Sequence, residues 1–323
     1  MRGGMSQLLI TGGAGFIGSN FAKTSINRGW KVRILDNLST GLQSIADELE
    51  LNGTEIIIGD IRDELLLDKA IEGCDAVVHL AAQVSVPLSV SNPEETMSIN
   101  VDGTSKVIAA CLKHGVKRLV IASSAAVYGE AENLPLKEED AGHIHSPYAQ
   151  SKWENETQII DARKKGLQAT ALRFFNVYGV GQRPDGAYAA VIPKFADMMA
   201  QGIVPQINGD GLQTRDFVHV HDVCEAVYSL IEGDWKADKF HVYNVATQTK
   251  ITLLELVEAI NTSLSSFLPD YIHISPAHGP ERVGDIRHSM ASIERIQSTL
   301  DWSPKVGFEE GIKGLLQERL NLN

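Results

Sequence analysis

The chain has 323 residues, of which 43% are hydrophobic and 22% are charged, and its formal net charge is −12. This composition is typical of a globular protein with one large domain or two modest ones. The acidic balance argues against nucleic acid and against an anionic membrane surface as partners.

The cysteines, the histidines and the N-terminus carry no metal-binding or targeting pattern. Cys74, Cys111 and Cys224 lie far apart in the sequence, which predicts neither a zinc site nor a disulfide framework. His219 and His221 form a close pair, but no carboxylate cluster accompanies them, so no metal site is predicted. The sequence shows no signal-peptide core and no apolar stretch long enough to span a bilayer, which favours a cytoplasmic location.

Short apolar segments alternate with helical patterns in the first half of the chain. Strands are predicted over residues 7–11, 31–36, 54–60, 76–82, 118–124 and 168–177. Helices are predicted near residues 17–29, 63–72, 100–114 and 148–165. This alternation is typical of βαβ units with right-handed crossovers. We therefore predict an α/β fold with a Rossmann-type, doubly wound parallel sheet.

The pattern becomes less regular after residue 178, where Pro and Gly cluster in two loops. Helices are predicted near residues 191–201, 222–232, 252–264 and 291–298. Residues 215–223 are typical of a strand that runs into a helix, and they are a candidate further strand of the sheet. The interpretation is a first domain over 1–178, to which residues 215–235 return, and a smaller, interleaved C-terminal α/β domain over 179–323.

A glycine-rich turn follows the first predicted strand and opens the first predicted helix. The sequence GGAGFIG places Gly12, Gly15 and Gly18 at regular spacing. In dinucleotide-binding folds such glycines permit a tight turn, a close approach to a pyrophosphate and close packing of helix on strand. The N–H groups at the helix N-terminus add a site for the phosphates. This turn therefore predicts a dinucleotide cofactor.

Acidic residues end the second and third predicted strands. Asp36 follows Gly18 by eighteen residues, at a position where a carboxylate binds ribose hydroxyls and repels a 2′-phosphate. No arginine follows it in DNLSTG, so NAD is favoured over NADP. Asp60 ends the third strand, where an adenine can be held.

Nine segments, in order, resemble motifs of the extended short-chain dehydrogenase/reductase family, and within it those of the nucleotide-sugar 4-epimerases. The segments are TGGAGFIG, DNLSTG, GDI, HLAAQ, SSAAVYG, YAQSK, RFFNVYG, GDGLQTRDFVHV and ERVGDIRHS. The resemblance covers nearly the whole chain. It implies that residues 1–178 bind NAD and that residues 179–323 mainly bind a nucleotide sugar.

The resemblance also implies which residues contact NAD. They lie in the glycine-rich turn, in the loops after the second to fourth strands, and beside the reacting groups. In chain order they are Gly12, Gly15, Phe16, Ile17, Gly18, Asp36, Asn37, Ser39, Thr40, Gly41, Asp60, Ile61, Leu80, Ala81, Ala82, Gln83, Asn100, Ser123, Tyr148, Lys152, Phe175 and Val177.

Tyr148 and Lys152 lie four residues apart and therefore share one face of a predicted helix. They match the Tyr-x-x-x-Lys pair of the family. The resemblance implies that the lysine ammonium and the cationic nicotinamide ring lower the pKa of Tyr148, so that its phenolate acts as a general base. Ser124, at the end of a predicted strand, is the implied third catalytic residue and binds the reacting sugar oxygen.

The two residues after Ser124 distinguish reactions within the family. Related 4,6-dehydratases carry Asp-Glu there, and related nucleotide-glucuronate decarboxylases carry Glu at the second position, whereas this chain has Ala125 and Ala126. Methyl groups cannot transfer protons. The resemblance therefore implies 4-epimerisation, in which a hydride leaves C4, a 4-keto sugar forms, and the hydride returns to the other face.

The resemblance implies a UDP-sugar site in the second half of the chain. Asn176, Arg215 and Arg282 match positions that bind the diphosphate, a role that suits the planar fork of arginine. The implied substrate contacts are Ser85, Val86, Ser124, Tyr148, Asn176, Ala190, Val191, Gln206, Asn208, Arg215, Arg282, Asp285 and Ser289.

Ser289 aligns with a gate position that holds a bulky tyrosine in enzymes restricted to plain hexoses. A small residue leaves space for an N-acetyl group, and a pocket discriminates only weakly against a smaller ligand. We therefore predict that UDP-N-acetylglucosamine and UDP-N-acetylgalactosamine are accepted, as well as UDP-glucose and UDP-galactose.

Two alternative functions stay open. A UDP-glucuronate 4-epimerase, or another nucleotide-sugar-modifying member of the family, is the enzymatic alternative, and Arg183 is the candidate cation for a sugar carboxylate. A non-catalytic NAD-binding regulator would keep the glycine turn and lose the tyrosine or the lysine. Both Tyr148 and Lys152 are retained, which favours an enzyme.

Two helical stripes match the faces through which family members dimerise, so the resemblance implies a homodimer. The stripes are Val101, Ser105, Ile108 and Leu112 on one helix and Trp153, Thr157 and Ile160 on another. The alternative is that both stripes only cover the sheet.

Overall fold

The computed structural model describes residues 6–130, 133–185, 190–237, 239–281 and 286–322. Its strands are β1 (Gln7–Thr11), β2 (Lys31–Asp36), β3 (Glu55–Ile58), β4 (Ala76–His79), β5 (Arg118–Ser124), β6 (Gln168–Phe174), β7 (Asn176–Tyr178), β8 (Gln206–Asn208), β9 (Thr214–Arg215), β10 (Phe217–His219), β11 (Val242–Val245), β12 (Ile251–Thr252) and β13 (Ala277–Gly279). Its α-helices are α1 (Phe16–Asn27), α2 (Gln43–Leu51), α3 (Glu64–Ile71), α4 (Val86–Ser91), α5 (Pro93–Met97), α6 (Gly103–His114), α7 (Pro147–Lys164), α8 (Val191–Ala200), α9 (Val220–Ile231), α10 (Leu253–Phe267), α11 (Glu294–Leu300) and α12 (Phe308–Arg319). A π-helical turn spans Ser98–Asp102, and 3₁₀ turns span Ala125–Tyr128 and Glu138–Asp140.

Within the described residues, seven parallel strands form the central sheet in the order β11-β6-β5-β4-β1-β2-β3. The chain runs outward from β1 to β3, then returns to β4 on the other side of β1 and runs outward again. Between β1 and β4 the strand order therefore reverses, and in open α/β sheets ligands bind in the crevice beyond the strand ends at such a point. The predicted doubly wound α/β sheet is confirmed.

Helices bury both faces of the sheet. In β1, Leu8 and Ile10 belong to the core beneath α1 and α9, whereas Leu9 belongs to the core beneath α3, α6 and α7. Successive strand residues point to opposite faces, and both faces are covered. This is why the strands appear in the sequence as continuous apolar runs without a polar alternation.

A further core lies in the C-terminal part of the chain. Phe195, Ile260 and Leu315 are buried there between α8, α10 and α12. Helix α9 packs against α1 and β5, and β11 pairs with β6 at the edge of the central sheet. The C-terminal part therefore contributes elements to the sheet, while the domain boundary at residue 178 stays a prediction.

Some elements differ from those predicted. The strand expected over 168–177 is divided at Phe175, because β6 stays in the central sheet while β7 pairs with β10. The strand expected near 215–223 therefore lies outside the central sheet. Sequence patterns also miss α2, in which only Ala46 and Leu49 are buried, and β11, which is four residues long.

Candidate active site

The glycine turn between β1 and α1 has the shape that a dinucleotide phosphate requires. Gly12 has φ +71°, and a Cβ atom there would lie 2.7 Å from the backbone nitrogen of Ala81. A Cβ atom on Gly18 would lie 2.2 Å from the carbonyl oxygen of Gly12. Within the described residues, no side chain caps α1 at Gly15 and its first turn, from Phe16, holds no acidic residue. The turn and the N–H groups of α1 thus fit the pyrophosphate of NAD.

Asp36 is buried at the end of β2, beside this turn. Its Oδ2 accepts a hydrogen bond from the Ala14 N–H at 2.9 Å, and its Oδ1 accepts one from the Leu38 N–H at 2.8 Å. Gly41 approaches closely too, since a Cβ atom on it would lie 3.0 Å from Oδ1. The carboxylate predicted to bind the ribose is therefore held next to the glycine turn. The other predicted contacts in this loop are exposed, namely Asn37, Ser39 and Thr40.

Asp60, which is predicted to lie beside the adenine, forms an ion pair. Its Oδ2 lies 2.7 Å from Nη2 of Arg62, and the hydrogen bonds from Arg62 lower the pKa of the carboxyl. Ile61 beside it is buried. The Asp60 side chain is therefore already engaged by a guanidinium.

Asn100 connects the segment after β4 to the π-helical turn by hydrogen bonds. Its Oδ1 accepts a hydrogen bond from the Gln83 N–H at 2.8 Å, and its Nδ2 donates to the Gln83 carbonyl oxygen at 2.9 Å. The same Nδ2 donates to Oγ of Ser151 on α7. Gln83 and Asn100, two predicted NAD contacts, are thus brought together. Half-buried residues connect them to β4, namely Leu80, Ala81 and Ala82.

A buried histidine, His79, orders the segment after β4. It is the first residue of the HLAAQ motif, but sequence reasoning missed this role. His79 Nδ1 lies 2.6 Å from Thr11 Oγ1, and Nε2 lies 2.9 Å from Thr104 Oγ1. Thr104 donates its proton to the Asn100 carbonyl oxygen, so Nε2 carries the ring proton and Nδ1 accepts from Thr11. Burial lowers the pKa of His79 to about 3, which keeps the ring neutral. This chain of hydrogen bonds connects the ends of β1 and β4 to the π-helical turn.

Helix α7 brings the three predicted catalytic residues together against the end of β5. Ser124 lies close enough to Tyr148 to lower its pKa, and Lys152 Nζ donates to the Ala122 carbonyl oxygen at 2.8 Å. Ser124 Oγ also accepts a hydrogen bond from the Ala126 N–H at 3.2 Å, which orients the hydroxyl. The Lys152 ammonium lies 5.9 Å from the centre of the Tyr148 ring.

The pKa of Tyr148 differs in direction from the expectation. Burial raises it, and the interaction with Ser124 offsets part of that rise. Burial also lowers the pKa of Lys152 to about 8, while the Glu156 carboxylate raises it. Burial therefore outweighs the stabilisation of the phenolate by neighbouring groups, and a phenolate near neutral pH needs a further positive charge.

A cavity of about 290 Å³ opens beside Ser124, the predicted catalytic serine. Four predicted substrate residues are in its lining, namely Ser124, Asn176, Arg215 and Ser289. Ala125 and Ala126 line it too. Residues from both halves of the chain therefore meet at the carboxyl end of β5.

The model of the NAD-dependent epimerase/dehydratase family matches residues 8–246, from β1 to just after β11. The chain belongs to this family. The predictions of the family and of NAD as its cofactor are confirmed.

Three known proteins are similar to this chain over nearly its whole length. The UDP-N-acetylglucosamine 4-epimerase of Methanobrevibacter ruminantium M1, solved in complex with UDP-N-acetylmuramic acid, is 36% identical, with a TM-score of 0.91 and 99% of each chain covered. The UDP-glucose 4-epimerase of Thermotoga maritima, solved with UDP-glucose, is 33% identical, with a TM-score of 0.89 and coverage of 98% of this chain and 100% of that chain. The UDP-N-acetyl-alpha-D-glucosaminuronate decarboxylase of Bacillus cytotoxicus is 32% identical over 321 residues, which are 96% of this chain and 97% of the relative. Epimerases and a decarboxylase are thus similar to this chain to nearly the same degree. Overall similarity therefore does not determine which reaction the chain catalyses.

Asp216 connects two walls of the cavity, a role that sequence reasoning missed although the residue directly follows Arg215. Its side chain accepts hydrogen bonds from the Thr247 N–H at 2.8 Å and the Ala291 N–H at 3.2 Å. Its carbonyl oxygen accepts one from Asn176 Nδ2 at 3.0 Å. The buried carboxylate thereby joins β9 and β10 to the segment that carries Ser289, the predicted gate residue.

Other predicted substrate contacts are not in the described lining of the cavity. They are Ser85 and Val86 at the start of α4, Tyr148 on α7, Ala190 and Val191 at the start of α8, and Gln206 and Asn208 on β8. Arg282 and Asp285 lie outside the described residues. Of the predicted NAD contacts near the cavity, Phe175 is in its lining and Val177 is on β7.

The described part of the chain was also compared with membrane and metal patterns. No helix in it has the length and apolarity needed to cross a bilayer. It also holds no group of three or more His, Cys, Asp or Glu side chains placed to bind a metal ion.

Proposed function

We propose that this protein catalyses the NAD-dependent 4-epimerisation of UDP-hexoses and accepts the N-acetylated sugars as well as UDP-glucose and UDP-galactose. The observation that carries the proposal is the cavity lining beside Ser124. Ala125 and Ala126 are there, at positions where the related dehydratases and decarboxylases carry acidic residues. Their methyl groups cannot take part in elimination or in the decarboxylation chemistry. The acid–base chemistry is therefore limited to the proton transfer that Ser124, Tyr148 and Lys152 can support.

NAD, when bound, supplies a reversible hydride acceptor for C4 of the sugar. The glycine turn and Asp36 would hold it. Tyr148, as the phenolate, removes the proton from the C4 hydroxyl, and Ser124 donates a hydrogen bond to the same oxygen. The Lys152 ammonium stabilises the phenolate. The proton returns from Tyr148 to the sugar oxygen at the end of the cycle. Because the hydride taken from C4 also returns to C4, on its other face, the reaction has no net redox change.

The position of Ser289 supports acceptance of N-acetyl sugars. Ser289 is in the lining of the same cavity as Ser124. Its N–H donates to the Thr214 carbonyl oxygen at 3.2 Å, which holds the backbone of the gate in place. A serine here fills little of the cavity, whereas a tyrosine would extend into it.

The alternative substrate, UDP-glucuronate, has less support. Arg183, the candidate partner for its carboxylate, forms an ion pair with Asp185, and the arginine side chain is 48% exposed. Arg183 is also absent from the described lining of the cavity. A purely regulatory role has no support either, because Tyr148 and Lys152 are both retained next to Ser124.

Proton NMR time courses with UDP-glucose and with UDP-N-acetylglucosamine, each with NAD, test the proposal. We expect the anomeric signal of the galacto epimer to appear in both. Tyr148→Phe should lower kcat by a factor of about 10² or more in both, because it removes the general base. Ser289→Tyr should abolish the reaction of the N-acetyl sugar and leave that of UDP-glucose.

The outcomes separate the two parts of the proposal. If the wild-type protein converts only UDP-glucose, 4-epimerisation stands and the gate argument is wrong. If it converts neither sugar, the proposed reaction is wrong, and UDP-glucuronate is the next substrate to test.

A further inference from the structure

A buried ion pair lies directly behind the reacting groups. Glu156 follows Lys152 by one helical turn and Tyr148 by two turns on α7, and its side chain is 4% exposed. Arg173 on β6 binds it as a fork, with Nε 2.8 Å from Oε1 and Nη2 2.7 Å from Oε2. Ser123 on β5 also donates its hydroxyl to Oε1, at 2.5 Å. Glu156 therefore joins α7 to β5 and β6 at once.

Ser123 lies between the two residues of β5 that contact the reacting pair on α7. Ala122 accepts the hydrogen bond from the lysine, and Ser124 lies close enough to the tyrosine to lower its pKa. A shift of β5 along α7 would change both contacts together. The hydrogen bond from Ser123 to Glu156 opposes such a shift.

Arg173 is held from its other side by the wall of the cavity. Its Nη1 donates to the Tyr128 hydroxyl at 2.8 Å and to the Glu138 carbonyl oxygen at 2.7 Å. Tyr128 is in the cavity lining and donates in turn to Asn244 Oδ1 on β11. The ion pair is thus part of a network that reaches from α7 to the substrate cavity.

We propose that Glu156 is a positioning residue for the proposed epimerisation. Held by Arg173 and Ser123, it fixes β5 against α7 and thereby sets the reacting serine against the tyrosine–lysine pair. The inference rests on the proposed function and deepens it.

Glu156 acts on Lys152 through its charge as well as through its position. Burial lowers the pKa of the lysine to about 8, and the Glu156 carboxylate raises it. Removal of the carboxylate charge therefore lowers the pKa of Lys152 further, and the lysine becomes neutral closer to pH 7. The described titratable groups around the two residues are Tyr148, neutral His79, Arg173 and His241.

A double variant separates positioning from simple stabilisation, because replacing both partners of a buried ion pair with apolar residues often leaves stability unchanged. For Glu156→Met/Arg173→Met we expect kcat with UDP-glucose at pH 7 to fall by about tenfold or more, because the reacting groups are no longer held in place. KM should change by less than about threefold, since the cavity residues that bind substrate are retained. Glu156→Gln retains the shape of the side chain and removes its charge, which lowers the pKa of Lys152. The decline of kcat on the alkaline side of its pH profile should therefore begin at a lower pH than in the wild type.

A second measurement does not depend on the sugar. Ionisation of Tyr148 is followed by absorbance at 295 nm on the NAD-bound protein, as the difference between wild type and Tyr148→Phe. In a Glu156→Gln background the midpoint of this titration should rise by about half a pH unit or more, because Ser124, whose interaction lowers the pKa of Tyr148, is no longer held as firmly against it.

Asp222→Asn is the matched control. Asp222 on α9 is also a buried carboxylate, and it accepts hydrogen bonds from the N–H groups of Lys305 and Val306. This variant should lower the melting temperature without moving the pH profile or the tyrosine titration. If the Glu156 variants behave in the same way, with wild-type kcat and an unmoved titration, the positioning role is wrong.

The design keeps the two proposals distinguishable. If the wild-type protein epimerises no UDP-hexose, the proposed function fails, while the titration of Tyr148 still decides whether Glu156 acts on the reacting pair. If the double variant does not fold, Glu156→Gln decides by the same two readouts.

Discussion

At the scale of single residues, the burial of Lys152 couples the active site to the stability of the fold. Its pKa is lowered from an ordinary value of 10.5 to about 8. Between these two pH values the native protein binds fewer protons at this residue than the unfolded chain does. Its contribution to the free energy of unfolding therefore rises with pH across that window. Below the window the cost of burying the ammonium is present in full.

Lys152→Met should remove this pH dependence. We expect the variant to gain up to about 3 kcal/mol of unfolding free energy relative to wild type at pH 7, and much less at pH 10.5. Urea unfolding at both pH values measures the difference. Tyrosines that titrate at high pH contribute equally to both proteins and cancel. An equal difference at the two pH values would contradict a lowered pKa.

At the scale of elements, the turn between β1 and α1 depends on the absence of a side chain at Gly12. Both Gly12 and Gly29 have positive φ, so alanine at either should cost about 1–2 kcal/mol. A Cβ atom at Gly12 would also meet the Ala81 backbone, whereas no described atom lies within 4 Å of one at Gly29.

Gly12→Ala should therefore lose more stability than Gly29→Ala and should also lose affinity for NAD by about tenfold or more, the equivalent of about 1.4 kcal/mol. Gly29→Ala should bind NAD as the wild type does. Chemical denaturation and calorimetric titration with NAD measure the two quantities. Equal NAD affinities in both variants would show that the turn does not hold the cofactor.

At the scale of the whole molecule, we propose a homodimer that forms through α6 and α7. The burial of individual stripe residues determines which positions are suitable for a test by substitution. Ile108, part of the predicted stripe, is buried in the core of its own chain, so a charge there would disturb the fold itself. Ser105 on α6 and Thr157 on α7 are exposed. These two residues are therefore the appropriate positions for charged substitutions.

Ser105→Arg/Thr157→Arg should convert the protein from dimer to monomer in sedimentation velocity with little change in melting temperature, because charges at a packed interface repel across the two-fold axis. Ser298→Arg, the same kind of change on exposed α11, should stay dimeric. A dimer that persists in the double variant would place the interface elsewhere, and a monomeric wild type would refute the dimer.

Much of the fold and of the cofactor site could be predicted from the sequence, because it depends on neighbours in the chain. Strands β1, β2 and β5 begin and end where their apolar runs do. The spacing of Gly12, Gly15 and Gly18 predicts the turn. Tyr148 and Lys152 share a face of α7 because four residues complete about one helical turn.

Tertiary structure alone decided the features that join distant parts of the chain. β11 completes the sheet, and Asp216 brings the β9–β10 wall of the cavity to the segment of Ser289. The pair of Glu156 and Arg173, and the rise of the Tyr148 pKa, depend on which residues surround each side chain. Periodicity and spacing report local geometry, whereas burial and ion pairing are set by the packing of segments that the sequence does not place side by side.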